Sequence, residues 1–454
     1  MNKHKQSVLI VTTLSSFLTP LSLSVVHVAL PSIGRAFSMD AIMLSWVSTA
    51  YLLSAAMFLV PFGKLADIYG RRRIFFLGTW VFTISSFLLG MSPSGGLLIT
   101  FRIIQGIGGA MLFGTGVAIL SSVFPVGERG RALGINVAAV YLGVSCGPFL
   151  GGILTHHVGW RYVFFLNIPF GLIIILLTLW RLRYEWADAR GEPFDYVGSF
   201  LYSLSLLAIL YATSLLPRPS GWGLVVLGIL GMTFFVRWEL QARHPIMHID
   251  LFMANRIFIF SNIAALISYS ATFAIGFLLS LYLQYIRGLN PQSAGIILVS
   301  QPIIQAIFSP FAGRVSDRVE PRIVASGGMM LTSAGLFLLA SIREHTPFFF
   351  IVMSLSLLGL GFAFFSSPNT NAIMSSVENR FYGIASATLA TMRLLGQTVS
   401  MGIAMALFAL YIGRVEIVPC YYPHLLSSIK VTLTIFGLLC IGGVFASLIR
   451  GNLR

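Results

Sequence analysis

Long apolar stretches dominate this chain, separated by short polar interruptions. They fall near residues 7–33, 45–63, 74–92, 96–123, 132–156, 161–181, 196–216, 221–238, 257–286, 293–312, 323–342, 347–371, 382–411 and 426–449, fourteen in all. A helix that crosses a bilayer needs roughly 20 apolar residues, so the pattern predicts fourteen transmembrane helices. The interruptions test that count. With the N-terminus on the cytoplasmic side, alternate loops collect twenty lysines and arginines, among them Lys64, Arg71, Arg72, Arg73, Arg314, Arg318 and Arg322. The opposite loops hold seven. Basic residues concentrate in cytoplasmic loops, and an even number of spans brings both termini to that side.

The interruptions also contain an echo. "GKLADIYGRRR" (63–73) follows the second stretch and "GRVSDRVEPR" (313–322) follows the tenth, so that Gly63, Lys64, Asp67 and Arg72 correspond to Gly313, Arg314, Asp317 and Arg322. Repeats of this kind mark transporters built from two similar halves. The expected fold is an all-α polytopic membrane protein with a six-helix bundle over 1–182 and a second, pseudo-symmetric bundle over 257–454. Residues 183–256 supply two additional linker helices.

Composition agrees with that class. Only 9% of residues are charged and 57% are hydrophobic, against about 25% charged in soluble domains, and the mean hydropathy is +0.88. The net charge of +15 is carried by basic loops, without the soluble basic surface that nucleic-acid binding needs. Cys146, Cys420 and Cys440 offer neither a disulfide framework nor metal-ligand spacing. The first stretch follows "MNKHKQ" and is too long for a signal peptide's apolar core, so it reads as a retained span. No nucleophile–base arrangement or metal cluster is evident, so neither an enzyme nor a cofactor is expected.

Several motifs carry candidate chemistry. In the two echoed loops, Gly63, Asp67, Gly70, Arg71 and Arg72, with Gly313, Asp317 and Arg322, form glycine-bounded turns with an acid among bases. A topogenic loop would explain the arginines but not the glycines or the aspartate. A clamp on helix ends, released during a conformational change, explains both, so these residues are read as a cytoplasmic gate. "FRIIQGIGGAMLFGTG" (101–116) places Arg102 and Gln105 within the fourth stretch, where a structural arginine bonded to carbonyls and a coupling arginine are both open readings. "GVSCGPFLGG" (143–152) carries Gly143, Gly147, Pro148, Gly151 and Gly152, small residues that let helices approach and a proline that bends one. Arg393 lies about 16 Å into the thirteenth stretch at 1.5 Å per residue, again with a structural or a coupling role open. Ser22, Trp46, Tyr51, Asn136, Gln301, Gln305 and Asn369 are the candidate substrate path.

Taken together these motifs resemble the major facilitator superfamily, and specifically its fourteen-span branch of drug:proton antiporters. The loop motif matches at Gly63, Asp67, Gly70, Arg71 and Arg72, the fourth-span motif at Arg102, Gln105, Gly106 and Gly109, and the fifth-span antiporter motif at "GVSCGPFLGG". "WRYVFFLNIPFG" (160–171), "FDYVGSF" (194–200), "HPIMHIDLF" (244–252), "LYLQYIRGLNPQSAG" (281–295) and "MRLLGQ" (392–397) point to the branch. The resemblance implies two bundles that open alternately to either side of the membrane. It implies a proton gradient as energy source, export of small hydrophobic, cationic or amphipathic compounds, and a cytoplasmic (inner) membrane of a prokaryote. Membrane lipids and no nucleic acid are the expected surroundings, and a monomer the expected state.

One position departs from that pattern. Relatives carry a first-span acid nine residues before the proline of "ALP", and Ser22 stands there. All fourteen acids of the chain fall in loops or at span edges. His27, in "LSLSVVHVALP", is ionisable near neutral pH, but five residues separate it from Ser22, about 140° around a helix. A neutral, hydrogen-bonded histidine and a proton-coupling one are both open, and the helical phase argues for the first. The expected function is a proton-coupled secondary exporter of hydrophobic or amphipathic small molecules. The alternatives are an exporter or flippase of an anionic metabolite or lipid with weak or no proton coupling, and a non-transporting membrane receptor or scaffold on a transporter fold.

Overall fold

A computed structural model describes residues 3–182, 184–247, 255–316, 318–378 and 382–451. Among these described residues, fourteen helices are long and apolar enough to cross a membrane: α1 (His4–Phe37), α2 (Ala41–Tyr69), α3 (Arg71–Gly90), α4 (Gly95–Val123), α5 (Arg131–His157), α6 (Tyr162–Arg181), α7 (Tyr196–Thr213), α8 (Pro219–Glu239), α9 (Arg256–Ile286), α10 (Pro291–Ser316), α11 (Pro321–Ala340), α12 (Phe348–Ser375), α13 (Ile384–Tyr411) and α14 (Pro419–Ile449). The count is the one the apolar pattern predicts. Apolar spans leave the backbone no partner in lipid except itself, which is why each runs as a helix. Large side chains such as Trp222, Phe234, Phe349 and Phe445 remain exposed on the surface, as the lipid-facing sides of such helices require.

Two irregularities have local causes. Pro302 has no N–H for the carbonyl four residues earlier, and α10 is interrupted at Val299 into the segments Pro291–Leu298 and Ser300–Ser316. The end of α9 closes as a π-helical turn, Tyr282–Ile286, with Tyr282, Leu283, Gln284 and Tyr285 buried. Such turns are rare and often mark functional positions.

The chain forms two compact units. The first comprises 1–23, 46–143 and 161–251; the second comprises 24–45, 144–160 and 252–454. Helices α1, α2 and α5 therefore contribute to both.

Within the first unit, α3 crosses α4 at glycines. A methyl on Gly78 would lie 2.5 Å from Met111 Cβ, and one on Gly108 would lie 2.7 Å from Phe82 N. Helices α7 and α8 pack against each other, and α7 is tied to α2 where Tyr202 Oη donates to Ala56 O (3.0 Å) and Ser203 Oγ to Met57 O (3.0 Å).

Within the second unit the echo of the sequence becomes geometric. Gly328, 250 positions after Gly78, meets Phe365 N at 2.5 Å, and Gly361 meets Thr332 N at 2.6 Å, each measured from an added methyl. Helices α11 and α12 thus repeat the glycine crossing of α3 and α4. A small core of Ala264, Ala325, Met329, Phe365 and Val444 fills the space between α9, α11, α12 and α14.

Candidate functional site

The loop joining α2 to α3 is heavily bonded. Gly70 takes φ +120°, a conformation a side chain disfavours, and turns the chain sharply between the two helices. One helical turn separates Asp67 from Arg71, so the two meet as an i,i+4 pair: Arg71 Nε donates to Asp67 Oδ1 at 2.8 Å. The same guanidinium lies 2.8 Å from Asp188 Oδ2 and donates from Nη1 to Ser122 Oγ.

Asp188 belongs to the connector between α6 and α7, which lies across the loop as a strap. Arg71 N donates to Trp186 O (2.8 Å), and Ala189 N donates to Asp67 O (2.9 Å). Arg72 N donates to Glu185 Oε1 (2.8 Å), and Arg73 Nε lies 3.7 Å from Glu185 Oε2. Lys64 Nζ donates to Glu192 Oε2 at 2.7 Å, and His244 Nδ1 lies 3.5 Å from the same oxygen. The Lys64 ammonium, joined by the His244 ring, holds the Glu192 carboxyl below the usual range.

The glycines of this loop differ in what they do. A side chain on Gly70 would run into the Glu185 carboxyl, whereas Gly63 has open space where a methyl would go. Asp317 lies outside the described residues, Gly313 sits in α10 with a methyl position 3.1 Å from Ser367 Oγ, and the Arg322 carbonyl accepts from Ser447 Oγ at 3.5 Å.

A second polar assembly is buried inside the first unit. Arg102, Gln105, Ser22, Ser86 and Asn167 are all fully buried. Arg102 Nε donates to Val47 O (2.8 Å) and Nη1 to Gln105 Oε1 (2.6 Å), while its guanidinium carbon lies 4.7 Å from the Tyr51 ring centre. Gln105 Nε2 donates to Ser86 Oγ (2.8 Å) and Ser22 Oγ (3.4 Å), and Asn167 Nδ2 donates to Ser22 Oγ at 3.1 Å. Gly106 and Gly109 let α4 approach the backbone and ring of Tyr51 closely enough for this network to form. Arg102 Nη2, Tyr51 Oη and Asn167 Oδ1 are buried without a hydrogen-bond partner. Ser22 is therefore the shared acceptor of two amides, one hydrogen bond removed from a buried guanidinium.

The fifth-span motif divides between the units. In the first, Gly143 sits against Phe17 O of α1; in the second, Gly147 meets Ser24 and Gly151 meets Val25 O. Ser24 Oγ donates to Val144 O across the same seam at 3.0 Å. Further along the second unit, Gly152 abuts Pro291 O of α10, and Gly295 abuts Pro148 O in return. Ser145 Oγ donates to Pro302 O (3.2 Å), Gln284 Nε2 to Val28 O (2.9 Å) and Tyr285 Oη to Pro31 O (3.3 Å). A short antiparallel bridge joins Asp40 to Glu416. His27 belongs here, 7% exposed, with its ring edge-to-face on Phe273 at 5.3 Å.

The remaining candidates scatter. Asn136 accepts from Ser16 Oγ (3.1 Å) and donates to Thr12 O (3.3 Å). Trp46 stacks obliquely on Tyr211 at 6.1 Å. Asn369 accepts from Arg450 Nη1 (3.0 Å) and donates to Ser261 O (3.0 Å). Gln305 is buried with Nε2 unbonded, and the backbone of Gln301 packs on Gly359. Arg393 lies with its guanidinium carbon 5.1 Å from the Tyr269 ring. Sequence reasoning missed three groups: the strap acids Glu185, Asp188 and Glu192, the amide of Asn167, and Glu239. Glu239 is 4% exposed and is the buried acid among the described residues.

Comparison with known proteins identifies the family. The family model described as Major Facilitator Superfamily matches residues 12–236 and 262–452. The riboflavin transporter RibZ of Clostridioides difficile is 33% identical over 90% of this chain and 89% of its own. The multidrug resistance protein Stp of Mycobacterium tuberculosis (strain CDC 1551 / Oshkosh) is 32% identical over 91% of this chain and 78% of its own. The tetracenomycin C resistance and export protein of Streptomyces glaucescens is 28% identical over 90% of this chain and 76% of its own. A solved bacterial homologue of the human lysosomal transporter Spinster superposes with a TM-score of 0.68 over 99% of this chain and 98% of that one, at 15% identity, a likeness of fold. With fourteen membrane-length helices, the repeated glycine crossing and the family match across nearly its whole length, the chain belongs to the major facilitator superfamily and is a membrane transporter, not an enzyme.

Proposed function

We propose that this protein is a proton-coupled exporter of hydrophobic or amphipathic small molecules, working by alternating access in the cytoplasmic membrane of a prokaryote. The observation that carries the reading is the fifth-span seam, where Gly147 and Gly151 bring α5 onto the backbone of α1. Relatives named for multidrug resistance and for tetracenomycin C export support it. The strapped loop at Asp67 and Arg71 serves as the cytoplasmic gate, and Pro148 gives α5 its point of flexure. The first test is accumulation of a lipophilic fluorescent dye in energised cells that lack their own efflux pumps. Expression should lower accumulation, and collapsing the proton gradient should restore it.

A second reading concerns the cargo. The Arg102 network contains a guanidinium and amides but no carboxylate, so a neutral or anionic compound suits it better than a cation. A relative named as a riboflavin transporter makes a neutral amphipathic heterocycle the first compound to try.

A further inference from the structure

We propose that Glu239 and Asp195 form a proton-binding site at the end of the α7–α8 pair, with the proton on Glu239 and donated to Asp195. The two residues close opposite sides of one small space. Asp195 caps α7, its Oδ1 accepting from Gly198 N at 2.9 Å, while its Oδ2 accepts from Trp238 Nε1 at 2.9 Å. Glu239 is the last residue of α8, and its Oε2 accepts from Met247 N at 2.9 Å. A methyl built on Gly198 would lie 2.5 Å from Asp195 Oδ2 and 2.5 Å from Glu239 Oε1. The two carboxyl oxygens thus border the same methyl-sized volume beside Gly198 and lie no more than 5.0 Å apart.

Glu239 Oε1 is buried without a hydrogen-bond partner in a side chain that is 4% exposed, and it borders the same space as Asp195 Oδ2. An ionised Glu239 beside the Asp195 carboxylate is costly, since burial of Glu239 and the like charge both penalise ionisation. One proton resolves both problems. It gives Oε1 a hydrogen to donate to Asp195 Oδ2, and it removes one of the two charges.

The surrounding charges do not supply another solution. Lys64 of α2 faces the pair, but its ammonium is bonded to Glu192 at 2.7 Å. His244 lies 3.5 Å from that same Glu192 oxygen. The Ile246 and Met247 amides approach the Glu239 carboxyl from the turn after α8. Loss of the proton to water would leave two negative charges across Gly198, with Lys64 as the nearest cation to answer them. Lys64 would then be shared between the pair and Glu192, which ties the protonation state of Glu239 to the strap over the α2–α3 loop.

The site's place in a transport cycle rests on the exporter reading, but the proton is read without transport. The experiment is infrared spectroscopy of the purified wild-type protein, E239Q and D195N across about pH 5 to 9, a range in which an ordinary glutamate is ionised. The wild type should show a protonated-carboxyl band at neutral pH that E239Q lacks. In D195N, which keeps a capping oxygen, the band should disappear at a pH lower by about one unit or more. Identical carboxyl bands in wild type and E239Q would overturn the site, whatever the flux assays show. If E239Q does not reach the membrane, wild type and D195N decide, and a band absent from the wild type at neutral pH or unshifted in D195N would overturn the pairing.

Discussion

The Glu185 carboxyl fills the volume that a side chain on Gly70 would occupy, its Cδ lying 2.5 Å from where a methyl would sit. That relationship gives the glycine of the loop motif a specific reason. The turn needs a positive φ, and the strap needs the space above it. Gly70→Ala should cost about 1–3 kcal/mol from the positive-φ backbone conformation alone and should also lift Glu185 off the Arg72 amide. The expected outcome is faster proteolysis of the 184–195 connector with a several-fold fall in transport. An unchanged cleavage rate would count against the strap.

Asp67 binds Arg71 on one side while its carbonyl accepts from Ala189 of the strap. Exposed ion pairs contribute only about 0–1 kcal/mol, so Asp67→Asn should leave thermal stability nearly unchanged. Turnover should fall by roughly tenfold, a difference of about 1.4 kcal/mol in the barrier, with little change in the substrate concentration for half-maximal rate. Asp188→Asn should show the same pattern more weakly, because Asp67 still holds Arg71. Loss of substrate affinity with unchanged turnover would place Asp67 at a binding site instead.

The Glu192–Lys64 bond makes the strap sensitive to acid. Lys64 lowers the Glu192 carboxyl below its ordinary value, so its contribution is fully present above about pH 4.3, the unfolded glutamate value. It is lost as pH falls through the lower, folded value. Limited proteolysis of the connector should therefore be slow at neutral pH and accelerate only in acid. Glu192→Gln should show the fast cleavage at neutral pH. A wild-type connector cut equally fast at both extremes would contradict the role of this pair.

Ser22 receives two amide donors beside Arg102, which makes the position ready for the first-span acid that the family resemblance implies there. Ser22→Asp should insert and fold, since Gln105 and Asn167 can both donate to the new carboxylate. It should raise the flux of a lipophilic cation by roughly tenfold, or about 1.4 kcal/mol. Ser22→Ala leaves those two donors unmet and should cost about 1–3 kcal/mol, read as a lower melting temperature. A destabilised Ser22→Asp with unchanged cation flux would show that the network is purely structural.

The spans were legible because lipid imposes a single rule on every residue of a helix, and the repeat at offset 250 was legible because Gly63 and Asp67 recur as Gly313 and Asp317. Arg102 and Gln105 could be read together since three residues separate them on one helix. Their acceptor Ser22 and the amide of Asn167, 145 positions apart, could not be joined by any local pattern. The strap was hidden for the same reason: Lys64 and Glu192 are 128 positions apart, and the connector reads in sequence as an ordinary polar linker. Glu239 stands at a span edge, and its burial comes from residues 244–247 folding back to give it the Met247 amide. His27 drew notice as an ionisable group in a span, yet its helical phase separates it from Ser22, and the structure seats it on Phe273.

The central claim is coupling, and flux in proteoliposomes under an imposed pH gradient tests it most directly. A lipophilic dye and a neutral flavin are loaded in parallel, and transport is followed with the gradient present, reversed and collapsed. The account predicts substrate movement opposite to the proton gradient, reversal with it, and slow flux when it is collapsed. Flux indifferent to the gradient would contradict proton coupling, and no flux of either compound would contradict the export reading.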